Sequence, residues 1–259
     1  MYKDGRRYPL DLSLRNLDST LSRLRNMNPS VGTPRILVVL TSHDRIDQLD
    51  KPTGWCLPEL AHTYDVLCTR AELVFASPKG GVAPPDPSSV EMFAQDESSV
   101  NFLKNHKDLW ENTTPLKEFL GRGLEFAAVF YPGGHGAMYD LANDADSLQL
   151  IQEFYVTGNT IAAVSHGPIA FYRAKIHDKP LLDGRRVTGF TNREEKDLEL
   201  DHVLPLLVET SLTEIGADFD SVPPHWKKLV VVDGQIITGQ NTASAKEVGE
   251  AIARAICDM

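Results

Sequence analysis

The sequence has few cysteines and no long apolar run. Only three cysteines occur in 259 residues, Cys56, Cys68 and Cys257, and they are too few and too scattered for a disulfide framework or a zinc ribbon. An odd number of cysteines fits a reducing compartment, so we expect a cytoplasmic protein. No stretch approaches the roughly 18 uninterrupted apolar residues of a membrane span, so we expect a soluble one.

The chain also has fewer basic than acidic residues. The chain has 26 Lys and Arg residues against 36 Asp and Glu residues, a formal net charge of −10 at pH 7. Binding to nucleic acid or to an anionic membrane surface depends on clustered basic side chains. We therefore expect neither partner. The N-terminus also lacks the apolar core of a secretory signal.

The apolar residues predict an α/β fold. Continuous β-branched runs are typical of strands buried on both faces of a parallel sheet, and here they alternate with helical patterns. This alternation predicts a doubly wound, mostly parallel sheet between helices, in a single domain at 35–259. The expected strands are 35–41, 72–77, 126–131, 160–164, 229–232 and 235–238, and the expected helices are 57–68, 147–157, 203–215 and 242–256.

Three segments depart from this alternation. Residues 1–34 are predicted to be an N-terminal extension with a short helix near 13–26, because leucines recur there at helical spacing. The sequence Val232–Gln235 is typical of a hairpin turn, so an antiparallel strand is expected at one edge of the sheet. Residues 79–123, rich in proline and polar residues, are predicted to form a small cap insertion. Such insertions often cover an active site.

The segment 160–168 is the most informative one. A buried strand leads directly into Ser165 and His166, followed by the start of a helix. Sites in doubly wound sheets form at the carboxyl ends of strands, where helix N-termini present free amides. A side chain on such a tight turn projects outward, as in the nucleophile elbow of α/β hydrolases. A serine that only caps the helix would show the same pattern, so both interpretations stay open.

Two further segments carry candidate site residues. A strand ends in the glycine-rich loop 133–136, whose backbone can approach a ligand closely and form an oxyanion hole. The loop lacks the lysine of a P-loop and the spacing of a dinucleotide fingerprint. Glu59 lies in the first turn of a helix, where an acid is also favoured by the helix dipole. Cys56, three residues earlier, could face the same pocket, but packing in the core is its expected role.

Together these segments resemble the ThiJ/PfpI superfamily, with its DJ-one-like fold related to class I glutamine amidotransferases and flavodoxin. Within it, the chain resembles the glutathione-independent glyoxalases, or glyoxalase III, of the heat-shock-protein-thirty-one type. The matching segments are 40–42, 54–64, 132–140, 162–168, 188–192, 232–234 and 238–245. The resemblance covers about residues 35–256.

The resemblance also implies the roles of individual residues. Ser165 stands where the family has its nucleophilic cysteine, His166 is the catalytic base, and Glu195 is its acidic partner. The buried carboxyl beside the nucleophile is then that of Glu59. The implied oxyanion and substrate-binding residues are Gly134, His135 and Gly167. Members of the family are homodimers that use no cofactor or metal and convert a small α-oxoaldehyde, methylglyoxal, and water to lactate.

Serine at position 165 changes this chemistry. A thiol has a pKa near 8.5, and a helix N-terminus can lower it until thiolate exists at neutral pH. A hydroxyl needs an adjacent base instead. Three functions stay open: a glyoxalase impaired by Ser165, a hydrolase or hydratase that uses Ser165, and a holdase chaperone or protein deglycase-like stress protein. The serine itself is either the natural residue or a deliberate replacement of cysteine.

Overall fold

The structure of the protein is a computed structural model that describes residues 32–223 and 225–257. Its main sheet has seven strands: β1 (Arg35–Val39), β2 (Glu72–Ser77), β3 (Thr114–Pro115), β4 (Ala128–Tyr131), β5 (Thr160–Val164), β6 (Val230–Asp233) and β7 (Ile236–Gly239). Their order across the sheet is β6-β7-β5-β4-β1-β2-β3. All neighbours are parallel except β6 and β7, which form the expected antiparallel hairpin at one edge.

The helices within the described part of the chain lie mainly on the two faces of this sheet. They are α1 (Leu57–Leu67), α2 (Pro87–Met92), α3 (Glu97–Asn105), α4 (Lys107–Glu111), α5 (Ala145–Thr157), α6 (Asn192–Asp197), α7 (Val208–Glu214) and α8 (Ala245–Cys257). Short two-stranded pairs join Arg45–Ile46 to Lys51–Pro52, Lys175–Ile176 to Lys179–Pro180, and Arg186–Val187 to Asp218–Phe219. The fold is therefore the expected single-domain α/β fold with a mostly parallel sheet.

Side-chain alternation along β1 divides the core into two layers. Successive strand residues point to opposite faces, so Leu37 and Val39 join one apolar cluster and Ile36 and Val38 join the other. Helix α5 packs on the first face, and helices α1 and α8 pack on the second. Helices cover both faces of the sheet. The strand sequences are therefore continuously apolar and do not alternate between apolar and polar residues.

Helix boundaries differ from the predictions where proline and capping residues act. The helix expected at 203–215 begins only at Val208, because Pro205 disfavours a helical conformation at the residue before it. Helix α6 was not predicted. Thr191 and Glu194 form a reciprocal capping box at its start, and this pair was a readable signal.

The segment 79–123 contributes to the sheet as well as to its surroundings. It supplies the edge strand β3, which pairs with β2, and helices α2, α3 and α4. The expected helix at 13–26, with most of the proposed extension, lies outside the described residues. Among residues 32–223 and 225–257, none of the helices combines the length and apolarity needed to span a membrane.

Candidate active site

The site forms where the strand order reverses. Strand β1 leads to β2 on one side, whereas β4 and β5 lie on its other side. In doubly wound sheets the loops at the carboxyl ends of such strands diverge and leave a crevice. Three loops meet here, one before α1, one after β4 and one after β5, and all three contribute to a single pocket.

Ser165 occupies a strained turn directly after β5. Its φ is 61°, a left-handed conformation that costs a non-glycine residue roughly 1–2 kcal/mol. Two backbone hydrogen bonds hold it there: its amide donates to the Gly239 carbonyl, and its carbonyl accepts from the Phe190 amide, both at 2.8 Å. A serine that merely capped the following helix would not need this conformation. The side chain reaches the pocket wall, as the elbow pattern predicts.

His166 links Ser165 to an acidic residue. Its Nδ1 lies 3.3 Å from Ser165 Oγ, and its Nε2 lies 2.9 Å from Glu195 Oε2. The other oxygen of Glu195 lies 2.8 Å from His135 Nε2. The side chain of Glu194, the neighbouring acid, already accepts hydrogen bonds in the capping box and from Gln240 and Asn241. Of these two acids, it is Glu195, the one that the resemblance implied, that contacts His166.

The charges of this group fix its protonation. Burial disfavours ionisation of Glu195, but the attraction of His166 and hydrogen bonds from both histidines outweigh it and lower its pKa from 4.5 to about 2. Burial, and next the charge of His135, lower the pKa of His166. Neutral His166 then donates from Nε2 to the carboxylate, which leaves Nδ1 as an acceptor for the Ser165 hydroxyl. This is the arrangement of a base held against a nucleophile.

Glu59 turns away from its own helix terminus and into the site. Oε2 accepts from the Gly133 amide at 2.8 Å, and Oε1 accepts from Thr242 Oγ1 at 2.9 Å. The side chain is buried. Burial raises the pKa of Glu59 from 4.5 to about 7, with hydrogen bonds from Thr242, Cys56 and Ser165 opposing the rise. Glu59 is therefore a site carboxyl rather than a helix cap.

Glycines let the loop after β4 pack against Glu59 and the elbow. A Cβ on Gly133 would lie 2.5 Å from Glu59 Oε2 and 2.7 Å from the His166 amide nitrogen. Gly134 has a φ of 111°, a conformation that only glycine adopts readily. Within the described chain, the amides of Gly134 and His166 have no hydrogen-bond acceptor. They are the candidate oxyanion donors.

Two residues that were expected to bind the oxyanion or substrate have other contacts. His135 lines the pocket, but its Nε2 is engaged by Glu195. Gly167 packs against the Tyr131 carbonyl, which a Cβ would approach to 2.2 Å, and it is not among the pocket-lining residues. The binding roles of both residues stay predictions.

The pocket has a volume of about 200 Å³, room for a small molecule only. The segment 79–123 lines one side of it through Asp86, Ser88, Ser89, Met92 and Phe93. Phe190 covers the His166 ring at 4.2 Å between ring centres. Cys56 also lines the pocket and is half-buried, so the expectation that it packs in the core was wrong.

Sequence reasoning assigned no role to several pocket residues. Thr242 lies in the recognised segment 238–245, yet its hydrogen bond to Glu59 depends on a contact 183 residues away along the chain. Phe190 lies in the recognised segment 188–192. Both residues could have been suspected because they lie in segments that resemble the family. Such a segment does not indicate which of its side chains faces the site.

The same cluster has the composition of a metal site. One ligand atom from each of His135, His166 and Glu195 can be chosen so that all lie within 4.8 Å of one another. Two imidazoles and a carboxylate are common zinc ligands. Both oxygens of Glu195, however, already accept hydrogen bonds from the two Nε2 atoms, so a metal ion would have to replace both bonds.

Removal of the Glu59 charge should stabilise the fold at alkaline pH. A folded-state pKa of about 7 against 4.5 means that the folded protein binds a proton more tightly, so stability falls as pH rises from about 4.5 to 7. The fall amounts to about 3 kcal/mol. We expect the free energy of unfolding of Glu59→Gln, relative to that of wild type, to increase from pH 5 to pH 8, as measured by urea unfolding. Glu91→Gln, at an exposed site, is the control. Equal pH dependence in wild type and Glu59→Gln would contradict the prediction.

The fold and the site define a class: an α/β enzyme whose pocket combines a strained serine turn after a strand with a buried carboxyl. Residues 120–255 match the DJ-1/PfpI family. The chain is 27% identical over 220 residues to "Glutathione-independent glyoxalase HSP31" of Saccharomyces cerevisiae. This alignment covers 82% of this chain and 93% of that protein. The chain belongs to the DJ-1/PfpI family.

Two solved structures share the fold over most of the chain. Rapid Encystment Protein 24 KDa of Francisella tularensis superposes with a TM-score of 0.81 and 33% identity, over 86% of this chain and 99% of that one. Glyoxalase III of Candida albicans superposes with a TM-score of 0.77 and 27% identity, over 86% of this chain and 97% of that one.

Proposed function

We propose that the protein is a glutathione-independent glyoxalase that converts methylglyoxal and water to lactate. The observation that carries the proposal is the Ser165–His166–Glu195 chain of hydrogen bonds beside Glu59, in a pocket of about 200 Å³. Relatives that align with most of this chain are named for this activity. A small pocket suits an α-oxoaldehyde of three carbons better than a large substrate.

The reaction requires a nucleophile, a proton carrier and a stabilised oxyanion. The nucleophile adds to the aldehyde carbon as its own proton passes to a base, while the carbonyl oxygen gains charge near the amides of Gly134 and His166. The base passes this first proton to the oxygen, then takes the proton from the aldehyde carbon and gives it to the neighbouring carbon, while the hydroxyl proton moves to the ketone oxygen. This internal transfer oxidises the aldehyde and reduces the ketone. Water finally releases lactate from the acyl-enzyme.

His166 is suited to carry the proton. Its neutral ring presents Nδ1 to the nucleophile, and Glu195 stabilises the imidazolium that forms when the proton arrives. Glu195 remains ionised because its pKa is about 2. Each role depends on the ring being held in one orientation, which the bond to Glu195 and the packing of Phe190 provide.

A direct assay tests the proposed function. Purified protein is mixed with methylglyoxal in the absence of glutathione, and methylglyoxal loss and lactate formation are followed together. We expect lactate from the wild type, a loss on the order of 10²-fold or more in His166→Ala, and no change in His202→Ala, which alters an exposed histidine. Absence of lactate from every variant would reject the glyoxalase function.

Hydrolysis with Ser165 as nucleophile is the second candidate. Ser165, His166 and Glu195 form a serine–histidine–acid chain, which can activate a hydroxyl without any thiol. An activated ester substrate and a fluorophosphonate probe distinguish the two functions. Labelling of Ser165 together with ester turnover, and no lactate from methylglyoxal, would favour the hydrolase.

The proposed assembly is a homodimer, with a small aldehyde as the partner in the pocket and neither nucleic acid nor membrane as a partner. The dimer follows from the family resemblance. The three free cysteines agree with a cytoplasmic location. We expect light scattering at micromolar concentration to give about twice the chain mass of 28.7 kDa. A single species at the chain mass would contradict the dimer.

A further inference from the structure

The chain lacks a cysteine at the elbow, but one of its three thiols faces the same pocket. Cys68 and Cys257 are exposed and do not line it. Cys56 is half-buried and lies on the pocket wall with Glu59, Ser165 and His166. A thiol on this wall faces any molecule that reaches the elbow.

Local structure fixes Cys56 in this position. It is the N-cap residue of the 11-residue helix α1, yet its side chain does not cap the helix, so the sulfur is free for other contacts. Its amide donates to the Gly133 carbonyl at 2.9 Å. That bond ties Cys56 to the loop that carries Gly134, one of the two candidate oxyanion donors.

The Glu59 carboxyl lies in the same pocket as the two candidate nucleophiles. Cys56, Ser165 and Glu59 all line this pocket, and Cys56 Sγ lies 3.9 Å from Thr242 Oγ1, whose hydroxyl donates to Glu59 Oε1 at 2.9 Å. Cys56 and Glu59 are three residues apart at the start of α1, so they occupy the same side of the helix. A carboxyl in this pocket can serve as the base for either the thiol or the hydroxyl.

We propose that Cys56, not Ser165, supplies the nucleophile for aldehydes in this chain. The inference rests on the glyoxalase function proposed above and names the atom that would carry it out. A sulfur atom forms adducts with aldehydes more readily than a hydroxyl does, because sulfur is the stronger nucleophile. The pocket would thus retain thiol chemistry from a different element of the fold.

The chemistry balances without any external oxidant. The Cys56 S–H adds across the aldehyde C=O: the S–C bond forms, Glu59 takes the thiol proton, and that proton passes on to the oxygen to give a hemithioacetal. His166 moves a proton from that carbon to the neighbouring one, and the hemithioacetal hydroxyl proton passes to the ketone oxygen. The former aldehyde carbon is thereby oxidised to a thioester, and the ketone is reduced to the alcohol of a lactoyl group. Water cleaves the resulting lactoyl thioester to lactate and free thiol.

Glu59 is essential to this route, because the thiol is not ionised on its own. Burial, and next the charge of Glu59, raise the pKa of Cys56 above its usual range. The thiol must lose its proton as the S–C bond forms, and Glu59, which shares the Thr242 hydroxyl with the sulfur, is the base we assign to this step. Turnover through Cys56 should therefore be slow compared with that of an enzyme that holds a standing thiolate.

Cysteine variants test the assignment. We expect Cys56→Ser to lower lactate formation on the order of tenfold or more, and Cys68→Ser and Cys257→Ser to leave it unchanged. Wild-type protein quenched with acid during turnover should carry one lactoyl group on the peptide that contains Cys56, removable by hydroxylamine at neutral pH. A thermal melt of each variant separates loss of chemistry from loss of fold.

The outcomes separate the two proposals. Full lactate formation by Cys56→Ser, or a lactoyl group on the peptide that contains Ser165, would overturn the role of Cys56 and leave the glyoxalase function intact. No lactate from wild type or any variant would overturn the glyoxalase function and with it the role of Cys56. Loss of activity in Cys56→Ser with the lactoyl group on Cys56 in wild type supports both.

Discussion

Ser165→Cys should raise methylglyoxal turnover on the order of 10²-fold or more, since the loss of one group that acts within a catalytic unit typically costs several orders of magnitude. The elbow places this side chain 3.3 Å from His166 Nδ1 and in the same pocket as Glu59, beside the candidate oxyanion donors. A thiol here can ionise with the help of the helix start that follows. The backbone strain at φ 61° is equal for serine and cysteine, so the exchange should not alter the fold.

The measurement is the rate of lactate formation from methylglyoxal without glutathione. Ser99→Cys is the matched control, because it introduces a thiol at another buried serine, on helix α3 and outside the pocket. In the Ser165→Cys background, a further Cys56→Ser change should have little effect, since the elbow thiol then carries the reaction. A Ser165→Cys variant no faster than wild type would contradict the assigned geometry of the elbow.

The sequence predicted the sheet well because burial leaves a direct trace in it. Strand β5 has five buried residues in succession, and its predicted and observed limits coincide at Thr160–Val164. The hairpin at Asp233 and Gly234 was equally readable, since its turn residues are specific. The predicted start of α7 was wrong because the apolar spacing continues to the N-terminal side of Pro205. Periodicity alone does not detect that a proline ends a helix.

The site residues could be predicted only in part, because some of them depend on contacts between distant segments. Ser165 and His166 follow a strand, so their position at the mouth of the sheet could be inferred from the sequence. Glu59 was expected to serve either as a cap or in catalysis, and only the packing of the loop at Gly133 decides between them. Cys56 was misjudged because the sequence gives no account of which side of a helix start faces a pocket built from distant segments.

Glu59→Gln in the Ser165→Cys background should reverse most of the gain, with a loss on the order of 10²-fold. Glutamine keeps the shape and can still accept from the Gly133 amide. It can neither take up the thiol proton nor give a carboxyl proton to a thiolate. With a pKa of about 7, the native carboxyl can do both near neutral pH, which is the property that a general acid–base group requires.

The pH profile makes the test specific to this role. In the Ser165→Cys variant, turnover should change between about pH 6 and 8, where Glu59 titrates, and that change should disappear in Ser165→Cys with Glu59→Gln. Glu91→Gln in the same background serves as the control for loss of an exposed carboxyl. Retention of full activity by the double variant would show that the thiol is activated by His166 alone, because Glu195 holds that ring in place without Glu59.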